Sequence, residues 1–419
     1  MTKPDVPNSE HTPIHPKLRY SGDLKWETAL LKDLSDVILG GTPDTSVKEY
    51  WENGSIPWMS SGEIHKKFID NTDACITQAG YENSNATIIP PKCVLVALAG
   101  QGKTRGTVAI NNIELSTNQS IAAIKTNSDL DPFFLLYTLE NNYNLLRSIS
   151  SGSGRAGLNK ELLQSLTIHK SERINYQKQI GNLFRSIDVH IKTCNDKYES
   201  MLKFKQACLL KIFPKHKENI PQLRFNGFLD EWKHSSLGEV GIFSKGRGYS
   251  KSDIADVGEP LLLYGSLYTG YETLIYNTQT SAKRNKESII SQGHEVVIPA
   301  SGETKEDIAR ASAIVERGII IGGDLNILIP KQDFDPGFLA YSITYGPTKQ
   351  QLIMRAQGAT IVHLHSDAIS ECEISYPSLP EQQKISKFLE SVDRQIRSEQ
   401  QKYEVLCTLK AALLQRMLI

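Results

Sequence analysis

Little in this chain is reactive. Its 419 residues include only six cysteines (Cys75, Cys93, Cys194, Cys208, Cys372 and Cys407), and no two of them form a C-x-x-C pair. That scatter argues against a zinc site and fits a reducing compartment, so a cytoplasmic protein is expected. No apolar run reaches the roughly 20 residues needed to cross a bilayer, so no membrane role is expected. The opening stretch, Met1 to Pro16, is polar, and no secretory signal is read from it. An excess charge of one sign is also missing, because 47 basic residues meet 47 acidic ones. A general polyanion binder gains its affinity by neutralising phosphates, so balance argues against that class. It leaves room for a protein whose basic groups are local, or one that meets nucleic acid beside a partner. Proline is absent from residues 176–213 and 381–418, and Gly181 is the only glycine there.

What is present is said twice. Pro16-Lys17-Leu18-Arg19-Tyr20 with Gly22 and Trp26 returns as Pro221-Gln222-Leu223-Arg224-Phe225 with Gly227 and Trp232. Asp131-Pro132-Phe133-Phe134-Leu135 with Tyr137 returns as Asp335-Pro336-Gly337-Phe338-Leu339 with Tyr341. Gln177, Asp188, Tyr198 and Lys205 return as Gln382, Asp393, Tyr403 and Lys410, each 205 positions on. So long a period marks a duplicated domain, not a solenoid unit. The chain then carries an internal pseudo-two-fold relation, and duplex DNA also has local two-fold symmetry that symmetric readers match.

Each half opens on a mixed, β-rich stretch, with strands such as Cys93–Val96 and Glu295–Ile298 between glycine-rich turns. Each half closes on one long helix. In the first helix Ile180, Phe184, Ile187, Ile191, Cys194, Tyr198, Met201, Lys205, Cys208 and Ile212 follow alternating steps of four and three. In the second, Ile385, Leu389, Val392, Ile396, Glu399, Tyr403, Leu406, Lys410, Leu413 and Met417 do the same. A seam this long predicts a coiled coil, and the natural partner of one seam is the other. An internal dyad makes that pairing antiparallel. Matching first seam residue to last then sets Lys205 beside Asp393 and Lys410 beside Asp188, two related ion pairs that fix register. The expected fold is α+β: two mixed, β-rich domains, each followed by a long helix, with the helices paired as an antiparallel coiled coil. The expected division is a tail at 1–15, domains at 16–172 and 223–378, helices at 173–214 and 379–419, and a linker at 215–222.

Several motifs suggest chemistry without completing it. Ala97-Leu98-Ala99-Gly100-Gln101-Gly102-Lys103-Thr104 fits a relaxed P-loop, but Arg105-Gly106-Thr107-Val108 follows as turn and strand, whereas a phosphate loop must open a helix. Asp131-Pro132-Phe133-Phe134 resembles the tetrad that grips a flipped adenine in amino-methyltransferases, yet its second proline is missing. Asp at N-cap with Pro at N1 explains both copies as helix starts. Glu303-Thr304-Lys305 is half of a nuclease pattern, and His363 with His365 is a lone i, i+2 pair. No catalytic residue and no metal ligand is assigned.

Polar, basic, glycine-rich loops remain, and they differ between the halves. In the first half they offer Ser60, Ser61, Lys66, Lys67, Lys103, Thr104, Arg105, Ser153 and Arg155. In the second they offer Lys245, Arg247, Tyr249, Lys283, Arg284, Lys305, Arg355 and Gln357. Arg and Lys pair with guanine edges and Gln with adenine, while Gly lets backbone approach phosphate. Any one such cluster reads as a solvated loop, but four per half, on matched scaffolds with different side chains, are a stronger signal of nucleic-acid contact.

Together these features resemble the specificity subunit of type I restriction-modification systems. The resemblance rests on the L-R-[FY]-x-G…W opening of each half, the D-P-x-F-L-x-Y helix start, Ser116-Thr117-Asn118-Gln119-Ser120, and Leu379-Pro380-Glu381-Gln382-Gln383-Lys384-Ile385 leading into the last helix. It spans residues 16–419, with one departure: Ser171-Glu172-Arg173-Ile174-Asn175-Tyr176 replaces the Pro-rich approach to the first helix. It implies a non-catalytic reader of double-stranded DNA, one target recognition domain per half-site, with the helical pair as spacer. Two methyltransferase subunits would supply S-adenosylmethionine and the adenine pocket, and nuclease-translocase restriction subunits would use ATP and magnesium. Two other classes stay open at this point: a P-loop nucleotide-dependent enzyme with a coiled-coil arm, and a coiled-coil scaffold with no nucleic-acid role.

Overall fold

Asp131 and Asp335 start the same helix twice. In the computed structural model, which describes residues 16–19, 25–100, 102, 104–149, 157–215 and 218–418, Asp131 Oδ1 accepts from the backbone N–H of Phe133 and Phe134 at 3.0 Å. Asp335 Oδ1 accepts from Phe338 N–H at 2.8 Å. Proline follows each cap at the first helical position, where no donor is needed. A buried glutamine fixes each cap from behind: Gln177 Oε1 accepts from Asp131 N–H at 2.9 Å, and Gln382 Oε1 from Asp335 N–H at 3.0 Å. The adenine-gripping reading of this tetrad therefore has no room, because its aspartate is spent on the cap.

The chain divides into two compact units, residues 1–194 with 401–419, and residues 195–400. Each is built on a five-stranded sheet of one topology. In the first unit the order is Ser35–Leu39, Ile121–Thr126, Val94–Ala97, Val108–Asn111, Phe68–Ile69. In the second it is Gly241–Lys245, Leu325–Pro330, Val296–Pro299, Ser312–Ile314, Leu274–Ile275. The last strand joins parallel in both sheets, and the other pairings are antiparallel.

Both long helices have 39 residues, Ile174–Ile212 and Leu379–Met417, or about 60 Å at 1.5 Å per residue. The boundary between units falls inside each helix, so each unit holds part of both. In the first unit Ile180, Phe184 and Ile187 share a core with Phe134, Tyr137, Leu414, Met417 and Leu418. In the second, Ile385 and Leu389 share a core with Phe338, Tyr341, Cys208 and Ile212. The heptad seam is thus only partly a helix–helix seam. Its ends are filled by the adjoining β-rich domain as well; toward the middle Ile191, Tyr198, Met201, Tyr403 and Leu406 are half-buried, while Val392 and Ile396 are buried. Within the second unit Lys197 meets Glu399 at 2.8 Å and Lys205 meets Asp393 at 2.5 Å, so the two helix segments there run antiparallel. Within the first unit Lys410 Nζ lies 2.7 Å from Asp188 Oδ1.

The repeated residues mostly serve these junctions. Tyr137 donates to Asp188 and Tyr341 to Asp393, both at 2.7 Å, so tyrosine, aspartate and lysine form one connected group in each unit. Burial and the adjacent carboxylate push both phenols far above their usual range. The opening motif covers a helix end: Leu18 N–H donates to Arg416 O at 2.8 Å and Leu223 N–H to Lys211 O at 2.9 Å, satisfying carbonyls that a helix terminus leaves without partners. Gly181 also has a local cause. A Cβ there would stand 2.8 Å from Phe133 Cβ. In the second unit the bulk is exchanged, with Gly337 facing Ser386. Among the described residues no helix is long and apolar enough to cross a membrane.

Candidate nucleic-acid interface

The first unit presents its glycine-rich loop between the antiparallel strands Val94–Ala97 and Val108–Asn111. Gly100, Gly102 and Gly106 take φ of 123°, 65° and 82°, left-handed values that favour glycine. A strand follows the loop, so it has no helix N-terminus to hold a triphosphate, and the P-loop reading fails on geometry. Thr104 Oγ1 lies 3.3 Å from His65 Nε2, and Arg147 Nη1 donates to Gly102 O at 2.6 Å. Arg105 is half-buried on this hairpin, and its Nε is shielded from solvent. Lys103, Ser153 and Arg155 lie outside the described residues.

Two of the anticipated cations are otherwise engaged. Lys66 pairs with Glu63 at 2.8 Å and Asp73 at 2.7 Å. Lys67 sits in a buried cluster, 2.7 Å from Glu140 and 2.5 Å from Asp188, with Lys410 bridging the same two carboxylates at 2.8 and 2.7 Å. Two cations and two anions balance there. Burial, with Lys410 adding repulsion, lowers the Lys67 ammonium below its usual value. Burial opposes ionisation of Asp188 too, yet Lys67 and Lys410 hold its carboxyl below the ordinary range. Lys67 is a structural ion, not an open loop cation. Ser60 is the N-cap of the turn Ser61–Lys66, its N–H donating to Glu63 Oε1 at 3.0 Å, and Ser61 Oγ accepts from Asn118 at 3.5 Å.

In the second unit the basic groups gather elsewhere. Tyr249, with φ of 52°, donates its hydroxyl to Lys283 O at 3.1 Å, accepts from Asn285 N–H at 3.1 Å and lies 2.5 Å from Ser288 Oγ. This side chain, anticipated as a DNA contact, is placed as a staple between two loops. Lys245 and Arg247 on one loop and Lys283, Arg284 and Lys286 on the other are all exposed. Gly246 lets the first loop close, since a Cβ there would be 1.9 Å from Gly322 O. Arg284 meets Glu259 only at 3.9 Å, both side chains largely in solvent, a pairing of little energy. Lys305 opens a short helix capped by Thr304, so Glu303-Thr304-Lys305 is a helix start. Arg355 ends the helix Thr348–Arg355, and Gln357 exchanges backbone hydrogen bonds with His363 while its side chain is exposed. Among the described residues no group of three His, Cys, Asp or Glu is placed to hold a metal.

Of the residues in these clusters, Tyr137 and Tyr341 stand out in the sequence only as a repeated pair, and Glu140 does not stand out at all. The tyrosines carried a signal, since both recur with the aspartates they meet. What hid Glu140 is distance along the chain: Lys67 and Glu140 are 73 residues apart.

Comparison with known proteins agrees with this architecture. The type I restriction-modification system S subunit from M. genitalium has the same fold, with a TM-score of 0.65 at 14% identity, covering 97% of this chain and 99% of that one. The chain is similar to the type I restriction enzyme MjaVIII specificity subunit of Methanocaldococcus jannaschii, 22% identical over 393 residues, covering 90% of this chain and 88% of that protein. It is likewise similar to the MjaIX specificity subunit of that organism, 22% identical over 413 residues, covering 94% and 92%. The family described as the type I restriction modification DNA specificity domain matches twice, at residues 24–200 and 229–407. With most of its length in those two matches, the chain belongs to that family, as a specificity subunit of a type I restriction-modification system with two target recognition domains.

Proposed function

We propose that the chain reads an asymmetric, interrupted site on duplex DNA, one short half-site per unit, and positions two methyltransferase subunits for adenine methylation. The observation that carries this reading is one scaffold with two unlike loop sets: the Thr104–Arg105 hairpin in the first unit, and the Tyr249-stapled loops with Arg247 and Lys283 in the second. The hairpin follows the strand Val94–Ala97, whereas the stapled loops follow Gly241–Lys245 and Thr280–Ala282, so like sheets present unlike basic loops and each unit has its own preference. One good bidentate contact is worth about 1–3 kcal/mol of discrimination. A few per half-site, summed over both units, reach the roughly 4–10 kcal/mol that separates specific from non-specific binding. One half-site alone falls short, and tethering two readers in one chain makes the second contact intramolecular.

Catalysis lies with the partners in this reading. The methyltransferase subunits bring S-adenosylmethionine and the pocket for an adenine taken out of the stack. Nuclease-translocase subunits, with ATP and magnesium, join for restriction. The long helices are the spacer that fixes how many base pairs go unread. A reducing cytoplasm is the setting.

The test is duplex binding by the full chain with its methyltransferase subunits. Tight retention of one bipartite duplex, falling steeply with salt, is the expected result. A fluorescent ATP analogue should not bind the chain alone. Saturable analogue binding without DNA retention would favour the nucleotide-dependent enzyme instead.

A further inference from the structure

Residues 173–194, the start of the first long helix with the residue before it, contain a single acidic side chain, Asp188, and it is buried in the ion cluster. The same stretch carries Arg173, Lys178, Arg185 and Lys192, all exposed. Lys178, Arg185 and Lys192 are spaced by seven residues, which sets them on one face with a rise of about 10 Å between neighbours. Arg185 lies with its guanidinium 5.0 Å from the Phe133 ring centroid, and Lys92 from the β-rich domain lies 5.3 Å from the same ring. One aromatic ring therefore lies within cation–π reach of two cations, one from the helix and one from the β-rich domain. Lys92 also donates to Asn112 Oδ1 at 2.8 Å, and Asn112 donates to Asp70 at 2.8 Å, which orients its ammonium without an ion pair.

The second long helix has exposed cations too, Lys384, Lys387, Arg394 and Arg397, but not at the equivalent positions. By the 205-residue offset, Arg173, Lys178, Arg185 and Lys192 become Ser378, Gln383, Glu390 and Arg397. Glu390 is itself held by Arg394 at 2.5 Å, and Arg397 lies 3.6 Å from Glu272. The ring is gone too, since Phe133 becomes Gly337. A pair of identical protein subunits docking on the two repeats would meet the same chemistry twice. The two repeats instead carry their exposed cations at different helix positions, Lys178, Arg185 and Lys192 against Lys384, Lys387 and Arg394, and unlike patterns do not fit that kind of partner. They fit a polyanion that the chain engages asymmetrically.

We infer that Lys178, Arg185 and Lys92, with Lys192 further along the helix, form a sequence-independent clamp for the DNA sugar-phosphate backbone beside the half-site of the first unit. This rests on the DNA-reading function proposed above. Cations at heptad spacing on a rigid helix contact phosphates without reading bases, so the clamp adds affinity and orientation and no sequence preference.

The experiment uses the full chain assembled with its methyltransferase subunits and two labelled duplexes, one bearing its bipartite site and one unrelated. Lys178→Gln/Arg185→Gln is compared with Lys384→Gln/Lys387→Gln, an equal loss of charge on the second long helix. The first variant should bind both duplexes roughly tenfold more weakly, and its log–log salt slope should fall by about 2, one unit per lost phosphate contact. The second should change binding by less than about twofold. Half-site preference should stay that of the parent chain in both. Unchanged affinity and slope in the first variant, with the parent complex still specific, would overturn the clamp alone. Loss of a methyltransferase subunit from the first variant, read by mass photometry, would also overturn it and make the strip a protein contact. A parent complex that retains neither duplex would overturn the clamp together with the DNA-reading function.

Discussion

Lys67→Thr is expected to destabilise the first unit by about 2–4 kcal/mol, and Glu140→Thr added to it is expected to restore most of that loss. The reason is charge balance in a buried place. Lys67, Lys410, Asp188 and Glu140 expose only 20%, 11%, 9% and 30% of their side chains. Removing Lys67 leaves two carboxylates to share Lys410, an uncompensated charge beneath the helices. Removing both Lys67 and Glu140 leaves the Tyr137–Asp188–Lys410 group neutral. The second unit supplies the template. Thr273 precedes its parallel edge strand where Lys67 precedes Phe68–Ile69, and Thr344 stands where Glu140 does. There the Tyr341–Asp393–Lys205 group is complete without a second ion pair. Three of the four tryptophans, Trp26, Trp51 and Trp58, lie in the first unit, so urea unfolding followed by fluorescence reports on it. A double variant as unstable as the sum of the two singles would refute the coupling.

Arg247→Ala with Lys283→Ala is expected to weaken specific binding by about 2–4 kcal/mol, with the loss confined to the half-site of the second unit. These side chains belong to loops that Tyr249 joins. The phenol contacts backbone and hydroxyl groups on the far loop, so it positions its neighbours. Tyr249→Phe keeps the ring and removes those hydrogen bonds. It should cost about 1 kcal/mol of affinity and broaden base preference at the same half-site. Competition binding against a panel of single-base changes in each half-site measures both effects. Equal broadening in both halves would contradict the assignment of one half-site to each unit.

Much of the fold can be read from the chain because its determinants are local or repeated. Asp131 and Asp335 announce helix starts through the residue that follows them. The seam and the internal dyad bring Lys205 to Asp393 and Lys410 to Asp188 before any coordinates are consulted. The loops are less legible. Lys67 looks like an open loop cation until Glu140, Asp188 and Lys410 arrive from distant parts of the chain. Tyr249 looks like a contact residue until the loop around Lys283 folds against its hydroxyl. The division into units is also hidden, because residues 401–419 complete a core begun by residues near the start. Sequence spacing encodes what happens along one element, while loop chemistry depends on which elements meet.

The most direct measurement is genome-wide mapping of methylated adenine in cells carrying the cognate methyltransferase subunits. Cells with this chain, without it, and with Arg105→Ala are compared. The expected result is one motif that depends on the chain and consists of two unlike short halves around a fixed gap. In the Arg105→Ala cells a single half should become degenerate while the other half and the gap persist. Methylation that ignores the presence of the chain, or a motif that is one uninterrupted block, would contradict the two-reader account.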